Sequence, residues 1–497
     1  MEQQFKQHLK KVASYNEAIA LMYWDMRTKA PKKSAESRSE SVGVLSGEVF
    51  RMMTSNEYGE MIAALEAKID ELDPVTKRSV EEARKQFDRS RKVPAEAYER
   101  FVTLQSKAET VWEQAKDQQD FALFQPYLEK LVEGTKEMIG YWGEKNGSAY
   151  NTLLDQDEPG ITTAVLDEVF GQLRNRIVPL VQKIQQAGDK PDTSFLYGKF
   201  PKQAQYEFSL KLMEQLGYDF DAGRLDETVH PFMIQINRND QRITNNYDEN
   251  DFRTAVFGTI HETGHAIYEQ NFGEELADSM VDGASSMGIH ESQSLFFENF
   301  IGRNPSFWEK NLQELQQFSP GQFDDVTVEQ FYRAINESKP SLIRIEADEL
   351  TYTLHIMIRY ELEKALFNGD AEVKDLPQLW NDKYEEYLGV RPSHDGEGVL
   401  QDVHWAGGSF GYFPSYALGY IYAAQFRQAM KKDLPDFDEL LAAGNVAPIR
   451  EWLTDNVHRH GAMKKPLEIM QDATGEGLNA NHLADYLEDK YSRIYSL

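Results

Sequence analysis

Residues 254–270 read TAVFGTIHETGHAIYEQ, and apolar residues flank both sides of a His-Glu-x-x-His sequence. His261 and His265 are four residues apart, so on a helix both imidazoles project from one face. This separation allows two histidines to bind one Zn²⁺ ion. Glu262 lies about 100° farther around the helix, where it can reach a water on the metal without being a ligand. The segment predicts a buried helix with a catalytic metal site; the alternative is a pair of core histidines with a salt-bridged glutamate.

A catalytic zinc site needs a third protein ligand and an open position for water. Tyr268 and Asn271 stand where the glycine and last histidine of the HExxHxxGxxH pattern would be, so the ligand lies farther along. Glu291 is favoured, because GASSMGIHESQSLFFENF predicts a second helix, starting after Gly288, that returns antiparallel across the first. The alternative for Glu291 is an ordinary carboxylate near a helix N-terminus. The other acidic candidates are Glu269, Glu274, Glu275, Asp278 and Asp282.

The composition restricts both the ligands and the partners. The 497 residues include 53 Lys and Arg, 82 Asp and Glu and no Cys, which gives a net charge of −29. Without thiolates, any metal must be bound by histidines and carboxylates. The negative charge excludes nucleic acid as a main partner. The N-terminal MEQQFKQHLKKVASY lacks an apolar signal region and no run of 18 apolar residues occurs, so we expect a cytoplasmic protein without a membrane span.

Helical patterns dominate the remainder of the chain. Residues 1–22 repeat apolar positions at helical spacing, and residues 76–118 predict two long helices broken near Pro94. Thr162-Thr163 caps another predicted helix. The exception is a predicted antiparallel ribbon, Phe232–Ile236 and Gln241–Thr244, which could pair with an extended peptide substrate. We expect one large helical unit with two lobes around a groove.

Six motifs in order across residues 230–405, with one stretch near the N-terminus, resemble the thermostable (Taq-type) metallocarboxypeptidases, the thermostable carboxypeptidase 1 family. They are His230-Pro231-Phe232 (HPF), Asp240–Thr244 (DxRxT), His261–His265 (HExxH), His290–Gln293 (HES-Q), Ile343–Asp348 (IRxxAD), Gly398–Trp405 (GxxQDxHW) and Trp24–Thr28. The resemblance covers nearly the whole chain, and no motif position departs from the family pattern.

The resemblance implies a mainly α, gluzincin-like fold with a deep central groove and a small β-ribbon beside the active site. It implies one catalytic domain over residues 1–497, with an N-terminal lobe of about 1–225 and a metal and substrate lobe of about 226–497. It also implies Zn²⁺ bound by His261, His265 and Glu291, one ion per subunit, with Co²⁺ as a substitute, and Glu262 as the catalytic acid and base. The implied activity is release of C-terminal residues from peptides with broad specificity, by a homodimer.

An exopeptidase of this kind must recognise a free α-carboxylate, which arginine does best through a bidentate pair. Arg242 and Arg344 are the motif arginines and the preferred candidates; Arg238 and Arg253 are weaker ones. For Arg344 the alternative is an i,i+4 pair with Asp348 on its own helix. The motif residues Asp348 and Gln401 are assigned to substrate binding as well.

Other polar side chains are candidates around the reacting carbonyl. His230 is expected at the groove floor. His404 would donate to the substrate or the oxyanion, or else be held by Asp402 in a structural network. Tyr412, Tyr416 and Tyr420 would align on a helix, and Tyr412 is the preferred oxyanion donor, with aromatic core packing as the alternative. His458 and His460 fit a surface loop or the groove rim equally well.

Two rival functions remain open at this stage. A helical zinc oligopeptidase or endopeptidase would have the same metal site and differ only in the carboxylate-binding groups and the closed end of the groove. A non-catalytic helical binding protein with a vestigial site is the other rival.

Overall fold

The computed structural model describes residues 1–497 and is built from twenty α-helices and one small sheet. The helices are α1 (Glu2–Thr28), α2 (Ala35–Thr54), α3 (Asn56–Glu66), α4 (Pro74–Lys92), α5 (Ala95–Gln118), α6 (Phe121–Trp142), α7 (Ala149–Asp157), α8 (Thr163–Gln186), α9 (Lys202–Leu216), α10 (Arg253–Gln270), α11 (Met287–Leu295), α12 (Pro305–Phe318), α13 (Val328–Ile335), α14 (Tyr352–Asn368), α15 (Leu376–Leu388), α16 (Pro414–Asp433), α17 (Phe437–Ala442), α18 (Ala447–Asn456), α19 (Pro466–Thr474) and α20 (Asn481–Tyr495). The strands are β1 (Leu225–Glu227), β2 (Met233–Asn237) and β3 (Asp240–Asn245). The mainly α fold expected from the sequence is confirmed.

The predicted helix boundaries follow local chemistry. The helices α4 and α5 are separate because Pro94 lacks an N–H group and cannot continue the first of them. Asp73 caps α4 by accepting hydrogen bonds from the backbone N–H groups of Val75 and Thr76, each at 3.1 Å. The Thr162 hydroxyl caps α8 as predicted, accepting from the Val165 N–H at 3.4 Å.

The predicted ribbon is present as β2 and β3, which pair antiparallel with Ile234 opposite Arg242. A third strand, β1, pairs with β3 in parallel, so the strand order is β1-β3-β2. Its three residues are too few to show an alternating pattern, and the sequence therefore did not predict it. The Trp24 ring of α1 packs edge-on against Phe232 at 5.8 Å, which fixes the ribbon to the N-terminal helix.

The largest buried apolar cluster contains 94 residues, from Ala108 to Tyr495, and so extends across both sides of residue 225. A separate cluster of nine residues joins α1, α3 and α4. No helix combines enough length with enough apolar character to cross a membrane.

Three helices meet unusually closely at the centre of the molecule. A Cβ atom added at Gly264 of α10 would lie 2.6 Å from the Gln293 carbonyl oxygen and 2.8 Å from the Ser294 Cα atom, both in α11. A Cβ atom at Gly419 of α16 would lie 2.8 Å from the Glu291 Cβ atom, on another side of α11. The absence of these two side chains therefore allows α11 to lie directly against both helices.

Gly264→Ala is expected to lower the free energy of unfolding by about 1–3 kcal/mol, because backbone rather than a flexible side chain would have to move. Gly171→Ala in α8 is the matched control, since nothing lies within 4 Å of its added Cβ atom, and it should raise stability by about 0.5–1 kcal/mol. Urea unfolding of the two variants measures both effects. Equal stability of Gly264→Ala and the wild type would show that the crossing is not tight.

Candidate metal centre and groove

The two histidines of the HExxH sequence lie on one face of α10, with ring centroids 5.0 Å apart. The neighbouring residues Ile260 and Ala266 are fully buried, so the helix is fixed in the core and the histidine face is directed at the groove. The apolar residues on both sides of the HExxH sequence predicted that this helix is buried, and the prediction is confirmed.

Glu291 reaches the same point from α11. One ligand atom from each of His261, His265 and Glu291 lies within 4.8 Å of the other two. The Nε2 atom of His265 is 3.6 Å from the Glu291 Oε2 atom. Two imidazoles and a carboxylate form the donor set of catalytic zinc sites, so these three residues fit a divalent transition metal.

Each histidine is oriented by a partner on its other ring nitrogen. The His261 Nδ1 atom donates to Glu298 Oε2 at 2.9 Å, and the His265 Nδ1 atom lies 3.1 Å from the His290 carbonyl oxygen. Both contacts leave Nε2 directed at the common point, as metal-binding histidines require. Glu298 in turn binds the Arg303 guanidinium at 2.9 Å. Although burial opposes the charged form, the contacts with His261 and Arg303 lower the pKa of Glu298.

Sequence reasoning missed Glu298, although a signal was present. It lies seven residues after Glu291, two helical turns onward on the same face. The helix changes there into a π-helical segment, Phe296–Gly302, which also places Arg303 at its end.

Glu262 carries a carboxyl group of this cluster that has no hydrogen-bond partner. Its side chain lines the groove, and its Oε2 atom is buried without any hydrogen-bond partner. Burial, together with the nearby Glu291 charge, raises the pKa of Glu262 to about 7, against the opposing effect of His261. A carboxyl group with this pKa can both accept and return a proton near neutral pH.

The groove is a cavity of about 680 Å³ between the sheet, α10, α11 and α16. Among its lining residues are the three candidate ligands with Glu262, and the predicted residues His230, Arg344, Asp348 and Tyr412. Arg242, Gln401 and His404 do not line it.

Arg344 enters the groove from a 3₁₀ turn, Arg344–Glu346, rather than from an α-helix. The expected alternative of an i,i+4 pair with Asp348 is therefore wrong. Its guanidinium pairs with Asp402 at 2.9 Å, and Arg359 binds the other Asp402 oxygen at 2.6 Å. Asp402 thus holds two arginines, and Gln401 supports them by accepting from the Arg344 N–H at 2.9 Å and from Arg359 at 2.8 Å.

The remaining polar candidates lie in different surroundings. Arg242 pairs with Asp240 at 2.7 Å and lies 5.5 Å from the centre of the Trp24 ring. The Asp348 carboxylate accepts from the backbone N–H groups of Lys339, Leu350 and Thr351, so its oxygens are engaged in shaping the loop.

The histidines outside the metal centre have separate environments. His404 lies behind the groove wall with its Nε2 atom 3.4 Å from the Tyr416 hydroxyl, and burial lowers the pKa of His404 to about 4. His458 is buried and bonded to Gln293 at 2.8 Å, so it is neither in a surface loop nor at the groove rim.

The three tyrosines do not share one helix. Tyr412 precedes α16, which begins at Pro414, so the predicted helical alignment is correct only for Tyr416 and Tyr420. The Tyr412 and Tyr416 rings nevertheless meet edge-on at 5.3 Å, and all three line the groove. Burial raises the pKa of Tyr412, which keeps its hydroxyl protonated as a donor.

Comparisons with known proteins agree over the whole chain. A family model described as "Carboxypeptidase Taq (M32) metallopeptidase" matches residues 4–491. Carboxypeptidase 1 of Bacillus subtilis is 56% identical over 496 residues, covering 100% of this chain and 99% of that protein. Thermostable carboxypeptidase 1 of Thermus thermophilus is 40% identical over 96% of this chain and 95% of its own length. The crystal structure of an M32 carboxypeptidase from Deinococcus radiodurans, 35% identical, superposes with a TM-score of 0.97 over 100% of this chain and 99% of that one.

Glu298→Gln is expected to lower the affinity for Zn²⁺ by about 10–100-fold, because the neutral amide no longer fixes and polarises the His261 imidazole. Competition with a chromogenic chelator measures the affinity. Glu329→Gln removes an exposed carboxylate paired with Arg493 and is the matched control. Wild-type affinity in Glu298→Gln would rule out this role for Glu298.

Proposed function

This chain belongs to the carboxypeptidase Taq (M32) family of metallopeptidases and is a metallocarboxypeptidase, and from that premise we propose the residues that carry out its reaction. We assign the metal to His261, His265 and Glu291, the proton transfers to Glu262, and the substrate's terminal carboxylate to Arg344. The substrates are peptides, whose C-terminal residues the enzyme releases.

The observation that carries this assignment is the isolated carboxylate oxygen of Glu262. A buried polar atom without a partner is costly, and such atoms concentrate where a ligand or water completes the site. Glu262 lies next to His261 in sequence, on the groove wall, and has no structural bond to explain its burial. This arrangement supports a catalytic rather than a structural role.

The metal that we propose is Zn²⁺, with Co²⁺ fitting the same donors. When bound, it supplies Lewis-acid activation of a water molecule and of the scissile carbonyl group. The triad supports this assignment because its two imidazoles are already oriented by Glu298 and by the His290 carbonyl group. Elemental analysis of chelator-free protein tests the identity of the metal.

Glu262 moves the proton. We propose that its carboxylate takes a proton from the attacking water and then delivers it to the amine of the leaving residue. Burial raises the pKa of Glu262 to about 7, which suits a group that must first accept a proton and then return it. Tyr412 is proposed to donate its hydroxyl proton in a hydrogen bond to the oxyanion. Tyr416 is a second donor at the same wall, with the neutral His404 behind it at 3.4 Å.

Arg344 is the better of the two proposed carboxylate-binding arginines. It lines the groove, whereas Arg242 lies outside it and is paired with Asp240. Asp402 is shared between Arg344 and Arg359, so one positive charge of the three-residue group is uncompensated and available to an anion. We retain Arg242, with His230, Asp348 and Gln401, as residues that shape the binding site rather than contact the terminal carboxylate.

The broader properties are proposals as well. We propose one catalytic domain over residues 1–497, broad specificity at the released residue, and a homodimer that acts in the cytoplasm. The shared core of 94 residues fits a single domain. Light scattering of the purified chain tests the dimer, and a peptide library with varied C-terminal residues tests the breadth of specificity.

Glu262→Gln is expected to lower kcat by about 10²–10⁴-fold, because the amide cannot accept the water proton. The variant should retain its metal, since Glu262 is not one of the proposed ligands. Glu274→Gln, in the exposed turn after α10, is the control. Full activity of Glu262→Gln, or loss of its metal, would contradict the assignment of Glu262 as base.

Arg344→Gln is expected to lower kcat/KM for peptides with a free C-terminus by about 10–100-fold, chiefly through KM, because a charge-assisted pair is lost. Arg242→Gln is the matched control and should change KM less. C-terminally amidated peptides should be poor substrates of both the wild type and Arg344→Gln. Equal cleavage of amidated and free peptides by the wild type, or internal cuts, would instead favour an endopeptidase mode.

A further inference from the structure

Glu363 of α14 is a carboxyl group buried in the core without a cation. Its side chain is inaccessible to solvent, and no lysine, arginine or histidine pairs with it. Burial raises the pKa of Glu363 to about 7, against the opposing effect of its hydrogen bonds. A buried carboxyl group without a counterion opposes folding unless donors surround its oxygens, so its contacts define what it does.

Three donors from two separate parts of the chain meet at this carboxyl group. The Trp405 indole N–H donates to the Glu363 Oε1 atom at 2.7 Å, and the Gly411 backbone N–H donates to the Oε2 atom at 2.8 Å. The Tyr150 hydroxyl of α7 donates to the Oε2 atom as well, at 2.7 Å. Glu363 therefore joins α14 to α7 and to both ends of the loop of residues 405–411.

This loop leads directly into the groove wall. Tyr412 follows Gly411, and α16 starts two residues later at Pro414, so Tyr412 lies between two fixed backbone points. The Gly411 backbone has a φ of 86°, and an added Cβ atom would lie 2.8 Å from the Leu153 Cβ atom. The hydrogen bond from Gly411 to Glu363 thus holds a tight turn of the backbone immediately before the groove tyrosine.

Two of the three donors can bond to Glu363 in only one way. A backbone N–H group and an indole N–H group can only donate, whereas the Tyr150 hydroxyl can also accept. Both Glu363 oxygens must therefore act as acceptors, one toward Gly411 and one toward Trp405. A glutamine amide has a single acceptor oxygen, so one of these two contacts would be lost in either orientation of the amide.

We propose that Glu363 is a positioning residue for the reaction and that it acts by fixing the backbone that carries Tyr412. This inference rests on the proposed function of Tyr412 as the hydrogen-bond donor to the oxyanion. Such a donor stabilises the transition state only if it is in place before the charge develops. Glu363 itself does not line the groove, so it acts on the reaction through the loop.

The kinetics of Glu363→Gln, Tyr412→Phe and the double variant, measured on the metal-loaded enzyme, test the proposal. Tyr412→Phe should lower kcat about 10²-fold, because the oxyanion donor is lost. Glu363→Gln should lower kcat about tenfold with little change in KM, because the donor is displaced while substrate binding is not. In the double variant, kcat should fall no further than in Tyr412→Phe, because the group that Glu363 positions is already absent.

Tyr150→Phe is the matched control. It removes a hydrogen bond to the same Glu363 oxygen but leaves the contacts with the loop intact, so kcat should stay close to the wild-type value. Trp405→Phe removes the indole donor and keeps an aromatic ring. It should lower kcat several-fold, only while Tyr412 is present, and it replaces Glu363→Gln in the test if that variant does not fold.

The outcomes separate this inference from the proposed function on which it rests. A wild-type kcat in Tyr412→Phe would contradict the oxyanion role of Tyr412, and the inference would be lost with it. A lowered kcat in Tyr412→Phe with a wild-type kcat in Glu363→Gln would overturn the role of Glu363 alone. The same conclusion follows if Glu363→Gln lowers kcat by an equal factor with and without Tyr412, or if Tyr150→Phe lowers it as much.

Discussion

The proposed metal centre depends on how closely α10 and α11 approach one another. The histidines and Glu291 come from different helices, and the absence of a side chain at Gly264 allows the two backbones to approach while the ligand atoms lie within 4.8 Å of one another. Gly419 allows α16 to press on α11 from another side, against the Cβ atom of Glu291 itself. The position of Glu291, the proposed third ligand, is therefore set by backbone packing. A side-chain contact can relax when the side chain changes rotamer, whereas closely packed backbones cannot, so this arrangement is stiffer.

Two series of paired side chains lie beside this centre, and each of them ends in an arginine. His261 binds Glu298, which binds Arg303, and on the opposite wall Arg344 binds Asp402, which binds Arg359. In each series an arginine keeps the buried carboxylate, Glu298 or Asp402, in its charged form. That carboxylate then holds the group that it binds, His261 or Arg344, in one orientation. The first series orients His261, a proposed metal ligand, and the second presents Arg344 to the groove. Both serve the requirement that reacting groups be held in place before substrate binds.

The sequence predicted the parts of the molecule that depend on local periodicity. The helix break at Pro94, the ribbon and the paired histidines each follow from residues close together in the chain. The position of Glu291 beside the two histidines also followed, because a second helix returning across the first after about twenty residues was predicted to bring it there. The partner of Arg344 did not, since Asp402 is 58 residues away and only tertiary folding brings the two together. Tyr412 was placed on a helix because its spacing from Tyr416 fits one; Pro414, which favours the first turn of a helix, instead starts α16 after it.

The net charge of −29 raises the question of how this protein attracts an anionic chain terminus at all. The proposed site answers it locally, because Arg344 and Arg359 share Asp402 and one positive charge of that three-residue group is not cancelled within it. That surplus acts over a short range because salt screens exposed charges within about 10 Å, while the partly buried arginines are screened less. A distant acidic surface therefore costs little affinity. On the proposed assignment, Arg344 selects a single terminal carboxylate because it and Arg359 share one carboxylate, Asp402.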